Sequence, residues 1–226
     1  MIRISTTTLE SFRRVLETEY GDEAALIAQI KGVPLAPSWQ MEAGSAWHRL
    51  LAGHLPKVHA EEFTTGGMLY HRMDGFVFSE AAVAAGRALI GPGVWEVKET
   101  RKPWPLGNIV VVAQVDHLAF SFGSIRIQEN KTKFTLPDAK DYEPSLQWRF
   151  YLWIHQAHML RYNLFHFKEP DGGGYCEFKE VVSLKFWPYV GLEKDCLEWV
   201  NRFMEWAGER SLLSYLERES STPEAP

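Results

Sequence analysis

The sequence predicts a mixed α/β (α+β) fold in which helices flank a central mixed sheet. Three strand-like segments follow one another in the middle of the chain, and segments with the 3.6-residue apolar spacing of amphipathic helices lie on either side of them. The 226 residues, 46% of them apolar, can fill the core of one sizeable domain. We therefore expect a single domain over residues 1–219 and a disordered, polar tail over residues 220–226.

The N-terminal part of the chain is predicted to be largely helical. ISTTTLESFRRVLETEY indicates a short extended segment followed by a helix, with Thr7 as the N-cap and Glu10 completing a capping box. Further helices are expected over residues 38–53 and over the Ala-rich residues 79–90, which the sequence GPG ends. The residues between them, 54–79, have an irregular or strand-like pattern.

The remaining segments alternate between strands and helices. Consecutive strands are expected at residues 94–100, 108–122 and 124–134. After them we expect a helix from about Glu143 to Tyr162, strands at 164–168 and 176–187, and a long amphipathic helix over 192–217.

The composition excludes several classes of protein. A formal net charge of −5 lacks the overall basic character of many nucleic-acid binders, so any contact with a polyanion has to be local. The two cysteines, Cys176 and Cys196, are too few for a disulfide framework or a four-thiolate cluster. Since the N-terminus is not signal-like and no run approaches about 20 apolar residues, we expect a cytoplasmic protein that makes no contact with a membrane.

The segment IRIQENKTKF departs from the alternation of an ordinary strand. Its first two odd-numbered residues are isoleucines, yet the next two are Glu129 and Lys131. If residues 122–123 are the central pair of the preceding FSFGSI turn, Asp116 lies opposite Glu129; if residues 123–124 are, Asp116 lies opposite Lys131. Either turn leaves the three charged side chains on one face, because side chains alternate along a strand with a period of two.

This predicted face brings two acids and one amine together. Directly opposed residues have Cβ atoms about 4.5–5.5 Å apart, where two carboxylates repel and raise each other's pKa. Lys131 offsets one charge, and a divalent cation bound by the hard oxygen atoms of Asp116 and Glu129 would offset the rest. The same residues also suit an ion pair between Lys131 and one acid, with the other acid at a solvated sheet end, and the hairpin alone leaves both interpretations open.

Two predicted helices carry further polar pairs. Gly44 and His48 are four residues apart, so a helix places the imidazole one turn from a residue without a side chain, where another backbone or a substrate can approach. Gln147 and Tyr151 share a helical face in the same way. Either pair by itself is more typical of a structural role.

Taken together and in this order, these residues closely resemble the PD-(D/E)xK nuclease superfamily, and more narrowly its RecB-type exonuclease branch. The similarity runs from about residue 2 to residue 156 and implies an αβββαβ core like that of restriction endonucleases. Val115 stands where the superfamily name has proline, and the four cysteines of some relatives are absent, so no iron–sulfur cluster is expected. The matching motifs are a Gly-x-x-x-His helix (Gly44, His48), a strand aspartate (Asp116), a Glu-x-Lys strand (Glu129, Asn130, Lys131) and a Gln-x-x-x-Tyr helix (Gln147, Tyr151), after an opening similar to ISTTTLESF.

The resemblance implies a role for each of these residues. Asp116, Glu129 and Lys131 would be catalytic, with Lys131 orienting the attacking water or stabilising charge in the transition state. A site for Mg²⁺ or Mn²⁺ is implied, with four ligands: the side chains of His48, Asp116 and Glu129 and the backbone carbonyl of Asn130. The implied substrate contacts include Gln147 and Tyr151, which would position Lys131 or a DNA phosphate. A basic rim near the site in sequence is expected to contact phosphates: Arg101, Lys102, Arg126, Lys133, Lys140 and Arg149.

The implied activity is metal-dependent hydrolysis of DNA phosphodiester bonds, by an exonuclease that acts on DNA ends in recombination, repair or phage-type replication. DNA and a recombination or replication protein are the expected partners. The alternatives are a structure-specific or restriction-type endonuclease of the same fold, and a non-catalytic DNA-binding or subunit-interaction module. A competing residue set, Asp74 with Glu96 and Lys98, repeats the motif but has no Gln-x-x-x-Tyr helix at the usual distance after it.

Overall fold

A central mixed sheet of six strands carries helices on both faces, which confirms the predicted fold class. The computed structural model describes residues 1–53, 60–103, 108–121, 123–170 and 172–217, and the backbone alone for residues 60, 98, 99, 101, 102 and 121. The predicted tail at 220–226 lies outside these residues.

The elements follow the chain in the order strand, three helices, three strands, helix, three strands, helix, two strands and two helices. The strands are β1 (Ile2–Ser5), β2 (Ala60–Thr65), β3 (Met68–Met73), β4 (Phe76–Ser79), β5 (Val94–Pro103), β6 (Ile109–Ser121), β7 (Ser124–Lys133), β8 (Met159–Phe167) and β9 (Phe178–Phe186). The helices are α1 (Thr6–Glu17), α2 (Glu23–Lys31), α3 (Trp39–Ala52), α4 (Glu80–Ile90), α5 (Leu146–His155), α6 (Leu192–Glu209) and α7 (Leu213–Leu216), with a short 3-10 helix at Ala139–Asp141.

The main sheet has the order β1-β6-β7-β8-β9, with β5 also paired to β6. The pairs β1–β6 and β7–β8 are parallel and the others are antiparallel. Strand β5 pairs with one edge of β6, along residues 110–118 of β6. The other edge of β6 is shared by two strands: β1 pairs with residues 109–112 and β7 pairs with residues 117–121. Asp116 lies in the gap between them. Strands β2, β3 and β4 form a separate antiparallel sheet.

Two apolar clusters cover the two faces of the main sheet. Helices α1, α5 and α6 pack on one face around residues such as Phe12 and Phe203, and α3 and α4 pack on the other around Trp47. Strand β8 supplies both clusters, Leu164 to the first and Phe165 to the second, because alternate residues of a strand point to opposite faces. None of the described helices is long and apolar enough to cross a lipid bilayer.

Three of the predicted helices were wrong at their ends, and one was missed. The N-cap of α1 is Ser5, whose hydroxyl accepts from the Thr8 amide, so Thr7 and Glu10 do not form the predicted capping box. Helix α5 ends at His155 rather than continuing to Tyr162, because Gln156 takes a left-handed conformation (φ 50°) and the following apolar residues join the sheet as β8. The long helix predicted over 192–217 is broken around residues 210–212 into α6 and α7. Helix α2, which begins after Asp22 and has Gly32 as its C-cap, was not predicted.

Candidate active site

A cleft of about 770 Å³ opens between α3, the C-terminal half of β7 and the start of α5. Helix α3 lies against β7, with Gly44 facing Thr132. A Cβ at Gly44 would lie 3.6 Å from the Thr132 hydroxyl oxygen, an ordinary contact, so the approach does not require a glycine. The cleft thus brings together side chains from five separate segments of the sequence. The predicted site residues that line it are Gly44, His48, Asp116, Asn130, Lys131, Lys133 and Gln147.

The register of the β6–β7 hairpin decides between the two predicted turns. Ser121 pairs with Ser124, so two residues connect the strands, and the described one of the two, Gly123, has a positive φ of 75°. The last pair of the ladder is His117 with Gln128, which places Asp116 opposite Glu129 at the next step. The first of the two predicted turns is therefore confirmed.

Beyond the last backbone pair of the β6–β7 ladder, hydrogen bonds to side chains connect the two strands. The Asp116 amide donates to Glu129 Oε1 at 3.0 Å, and the Asn130 amide donates to Asp116 Oδ2 at 2.8 Å. The Lys131 ammonium donates to Glu129 Oε2 at 3.0 Å. These bonds hold both carboxylates and the amine in fixed positions on two neighbouring strands.

Burial and charge shift the pKa values of this group strongly. Glu129 is 2% exposed, and burial together with the nearby Asp116 carboxylate raises its pKa to about 7. Burial lowers the pKa of Lys131, but the Glu129 and Asp116 carboxylates outweigh it and raise the pKa well above the usual value. Lys131 is therefore cationic at neutral pH, and one positive charge faces two acids.

His48 reaches this group from α3. Its Nε2 atom lies 3.3 Å from Asp116 Oδ1 and is buried without a hydrogen-bond partner among the described residues. Its Nδ1 atom lies 3.8 Å from Glu96 Oε1 on β5. A buried imidazole nitrogen that faces a carboxylate and has no hydrogen bond is a suitable donor to a metal ion.

The donor atoms fit a divalent cation in part. Two ligands at about 2.1 Å from one cation and at right angles to each other are about 3 Å apart, close to the observed separation of His48 Nε2 and Asp116 Oδ1. The Glu129 carboxylate instead bonds the Asp116 amide and Lys131. Across the described ranges, no three His, Cys, Asp or Glu side chains are close enough to hold a metal ion by themselves. A cation here would therefore need a backbone carbonyl such as that of Asn130, or water, as a further ligand.

Glu96 lies next to the candidate site in a position that the sequence did not predict. The sequence placed Glu96 only in the competing set with Asp74 and Lys98, whereas its carboxylate lies beside His48. Its φ of 48° is in the left-handed region, which is rare for a residue with a side chain and is found where surrounding structure imposes it. Two members of the competing set lie on different sheets: Asp74 is in the turn between β3 and β4 and pairs with Arg49, whereas Glu96 is on β5. The side chain of the third member, Lys98, lies outside the described residues.

The predicted substrate residues fall into three groups. Gln147 and Lys133 line the cleft, and the Lys133 ammonium lies 5.2 Å from the centre of the Tyr142 ring. Tyr151 is 3% exposed, its hydroxyl bonds the Thr6 side chain, and it does not line the cleft. The side chains of Arg101 and Lys102 lie outside the described residues. Two cleft cations that the sequence did not single out are Arg14 and Arg49.

Glu10 fixes the wall of the cleft at the start of α5. Its Oε2 atom accepts from the Leu146 amide at 2.7 Å and from the Ser145 hydroxyl at 3.1 Å. Burial raises the pKa of Glu10, but the hydrogen bond and charge of Arg13 outweigh it, and the net shift is downward. A buried carboxylate from α1 thus caps α5, a long-range contact that no local sequence pattern predicts.

Comparisons with known proteins find similarity among solved structures. No protein-family model matches the chain, and no curated protein matches its sequence. One similar structure is described as "Crystal structure of SSO0001", with a TM-score of 0.44 and 13% identity over 91% of this chain and 77% of that one. Two others are of the alkaline exonuclease LHK-Exo from Laribacter hongkongensis. The complex with dAMP has a TM-score of 0.49 at 12% identity over 95% of this chain and 91% of that one, and the other structure has 0.47 at 12% over 96% and 92%.

Proposed function

We propose that the protein is a metal-dependent deoxyribonuclease of the PD-(D/E)xK type and that the cleft between α3 and β7 is its active site. The observation that carries the proposal is the meeting of four groups where the β6–β7 ladder ends. Asp116, Glu129 and Lys131 are joined by hydrogen bonds there, and the buried Nε2 of His48, which forms no hydrogen bond within the described residues, lies 3.3 Å from Asp116.

Each group has a distinct part in this proposal. His48 and Asp116, with the Asn130 carbonyl, would hold Mg²⁺ or Mn²⁺, and Glu129 is the predicted fourth ligand. The ion would polarise the scissile phosphate and lower the pKa of a bound water. Lys131 offers a fixed cation for the negative charge that develops on the phosphoryl oxygens, and Glu129 keeps it in position.

The rest of the cleft suits a nucleic-acid strand. The cationic side chains of Arg14, Arg49 and Lys133 line it, and they provide local contacts to backbone phosphates in a chain whose net charge is −5. Gln147 adds an amide at the wall formed by α5. The finer proposal, from the motif resemblance, is a RecB-type exonuclease that acts on DNA ends in recombination, repair or phage-type replication.

Cleavage assays with end-labelled linear DNA and closed circular DNA test this proposal. We expect the linear substrate to be degraded with Mg²⁺ or Mn²⁺, EDTA to stop the reaction, and Asp116→Ala to abolish it. Degradation of circular DNA would identify an endonuclease instead. If the wild-type protein cleaves neither substrate, or if Asp116→Ala cleaves as well as wild type, the enzymatic proposal is wrong.

Thermal unfolding gives a second test that does not depend on cleavage. A metal ion at 100 times its dissociation constant stabilises the protein that binds it by about 2.7 kcal/mol. Millimolar Mn²⁺ should therefore raise the melting temperature of the wild-type protein and have a smaller effect on Asp116→Ala. An unchanged wild-type melting temperature contradicts the site.

A further inference from the structure

A second cavity of about 330 Å³ lies toward the other end of β7 and shares no lining residue with the active-site cleft. Its walls are formed by the end of α4 and by residues of β6, β7 and β8, and apolar side chains such as Pro92 and Met159 line part of it. Two guanidinium groups, those of Arg126 and Arg161, line the rest together with Gln128.

Arg161 is held firmly but only by neutral acceptors. Its guanidinium donates to the Leu89 carbonyl at 2.7 Å and, through Nε, to Gln128 Oε1 at 3.1 Å. Gln128 is 4% exposed, and its amide nitrogen donates in turn to the Ile90 carbonyl at 2.7 Å. The position of the guanidinium is thus fixed while its charge stays unbalanced.

Two further cations surround Arg161. Arg126 is exposed on β7, two residues before Gln128 and on the same face of the sheet. Lys185 is the residue of β9 that lies directly opposite Arg161 in the β8–β9 ladder. In the part of the chain that the structure describes, none of these three side chains forms an ion pair. Burial, and then the charge of Arg126, lowers the pKa of Arg161, which indicates that the two guanidinium groups repel each other.

We propose that this cavity binds the phosphate group of a nucleotide or of a nucleic-acid strand. The planar donors of a guanidinium match phosphate oxygens in geometry, and an anion placed between Arg126 and Arg161 removes their repulsion. The cavity volume is at the lower end of the range for small-ligand sites, and its apolar wall suits a sugar or base.

This site is separate from the proposed cleavage site. Arg126 precedes Asn130 by four strand residues, or about 13 Å, a distance of about four steps along one strand of duplex DNA at 3.4 Å each. The proposal would stand if the cleft had no nuclease activity, because it depends on the unbalanced charges of Arg126, Arg161 and Lys185 alone.

Binding measurements in EDTA test the site without cleavage. The probes are a fluorescent single-stranded oligonucleotide, over a range of NaCl concentrations, and dTMP as a competitor. Arg126→Gln and Lys185→Gln are the test variants, and Lys179→Gln is the control, because Lys179 also lies on β9 but pairs with Glu177 at 2.6 Å. Arg126 is exposed and forms no ion pair with any described residue, so its replacement should not lower the melting temperature appreciably, and the comparison stays interpretable.

We expect Arg126→Gln to weaken oligonucleotide binding about ten-fold, the effect of losing one charge-assisted hydrogen bond. The slope of log affinity against log salt should become shallower by about 0.7. If dTMP competes with the oligonucleotide for wild type but not for Arg126→Gln, the ligand is a free nucleotide. If Arg126→Gln weakens oligonucleotide binding and dTMP does not compete, the ligand is a phosphate of a strand. The proposal is wrong if Arg126→Gln and Lys185→Gln bind both probes as tightly as wild type does. It is also wrong if Lys179→Gln loses as much affinity as the two test variants.

Discussion

The two ends of strand β7 carry charged residues in opposite arrangements. Near the cleft, Lys131 lies beside Glu129 and Asp116, and hydrogen bonds join the three. Toward the other end, Arg126 and Arg161 lie near each other with no carboxylate paired to either among the described residues. At the cleft end charges of opposite sign are hydrogen-bonded to each other, although one acid remains in excess, and we call this the balanced end. At the unbalanced end charges of like sign lie near each other, where an anionic ligand could offset them.

The balanced end extends beyond β7 into α1. Glu10 and Arg13 form a buried ion pair, with side chains 8% and 5% exposed, and Glu10 also caps α5. A buried carboxylate therefore holds each side of the cleft: Glu10 holds the start of α5, and Glu129 holds Lys131 on β7. If this interpretation is right, breaking a pair at the balanced end should be costly, and removing a charge at the unbalanced end should not be.

The largest effect on stability is expected for Glu10→Ala. It leaves the buried Arg13 guanidinium without its main partner and α5 without its cap, and we expect a loss of about 3–5 kcal/mol in the free energy of unfolding. Glu17→Ala is the matched control, because Glu17 pairs with the same arginine but is 41% exposed, and about 1 kcal/mol or less is expected. Urea denaturation measures both values, and equal losses would contradict the importance of burial.

The same pair predicts a pH dependence of stability. The pKa of Glu10 is lowered in the folded protein from its ordinary value of 4.5, so its contribution is complete above pH 4.5 and is lost as pH falls through the folded pKa. Glu10→Gln removes this contribution. The difference in unfolding free energy between wild type and Glu10→Gln should therefore be constant at neutral pH and shrink below pH 4.5, and a difference that grows in acid would have the wrong sign.

At the cleft, Lys131→Ala should lower metal-dependent cleavage by about 10²–10³-fold, the usual cost of removing a fixed group that stabilises transition-state charge. Lys133→Ala is the control, since Lys133 lies two residues further along the strand and also lines the cleft, but makes no hydrogen bond to Glu129. A ten-fold effect or less, mainly on KM, is expected there. Rates measured at saturating substrate separate the two, and similar losses in kcat would remove the distinction between Lys131 and an ordinary phosphate contact.

Glu96→Gln should weaken Mn²⁺ binding about 10–100-fold without stopping cleavage at high metal concentration. A carboxylate beside Nδ1 favours the tautomer that carries its proton there, which leaves the Nε2 lone pair of His48 facing Asp116. Glu62→Gln is a suitable control, because Glu62 lies 3.5 Å from a different histidine, His71, outside the cleft. Calorimetric titration with Mn²⁺ measures the affinities, and equal affinity of wild type and Glu96→Gln would remove Glu96 from the site.

The sequence predicted the parts of this site that depend on local periodicity. The period of two in a strand and a tight turn were enough to place Asp116 on one face with Glu129 and Lys131, because neither depends on the rest of the fold. The choice of Glu129 as the residue opposite Asp116 came from the register in the structure. Glu96 and Glu10 were not predicted as site residues for the opposite reason. No local pattern predicts the left-handed backbone at Glu96. The contact of Glu10 with Leu146 joins elements distant in sequence, as does the pairing of β8 with β7 that follows the early end of α5.

The smallest effect on stability is expected at the unbalanced end of β7. Arg126→Gln removes an exposed charge that repels Arg161 and breaks no ion pair in the described chain, so the free energy of unfolding should change by no more than about 0.5 kcal/mol, if anything upward. Inorganic phosphate should raise the melting temperature of wild type more than that of Arg126→Gln, because the bound anion balances the two guanidinium groups only when both are present. A loss of more than about 1 kcal/mol in Arg126→Gln would show that Arg126 is a structural residue, and the two ends of β7 would then no longer differ in kind.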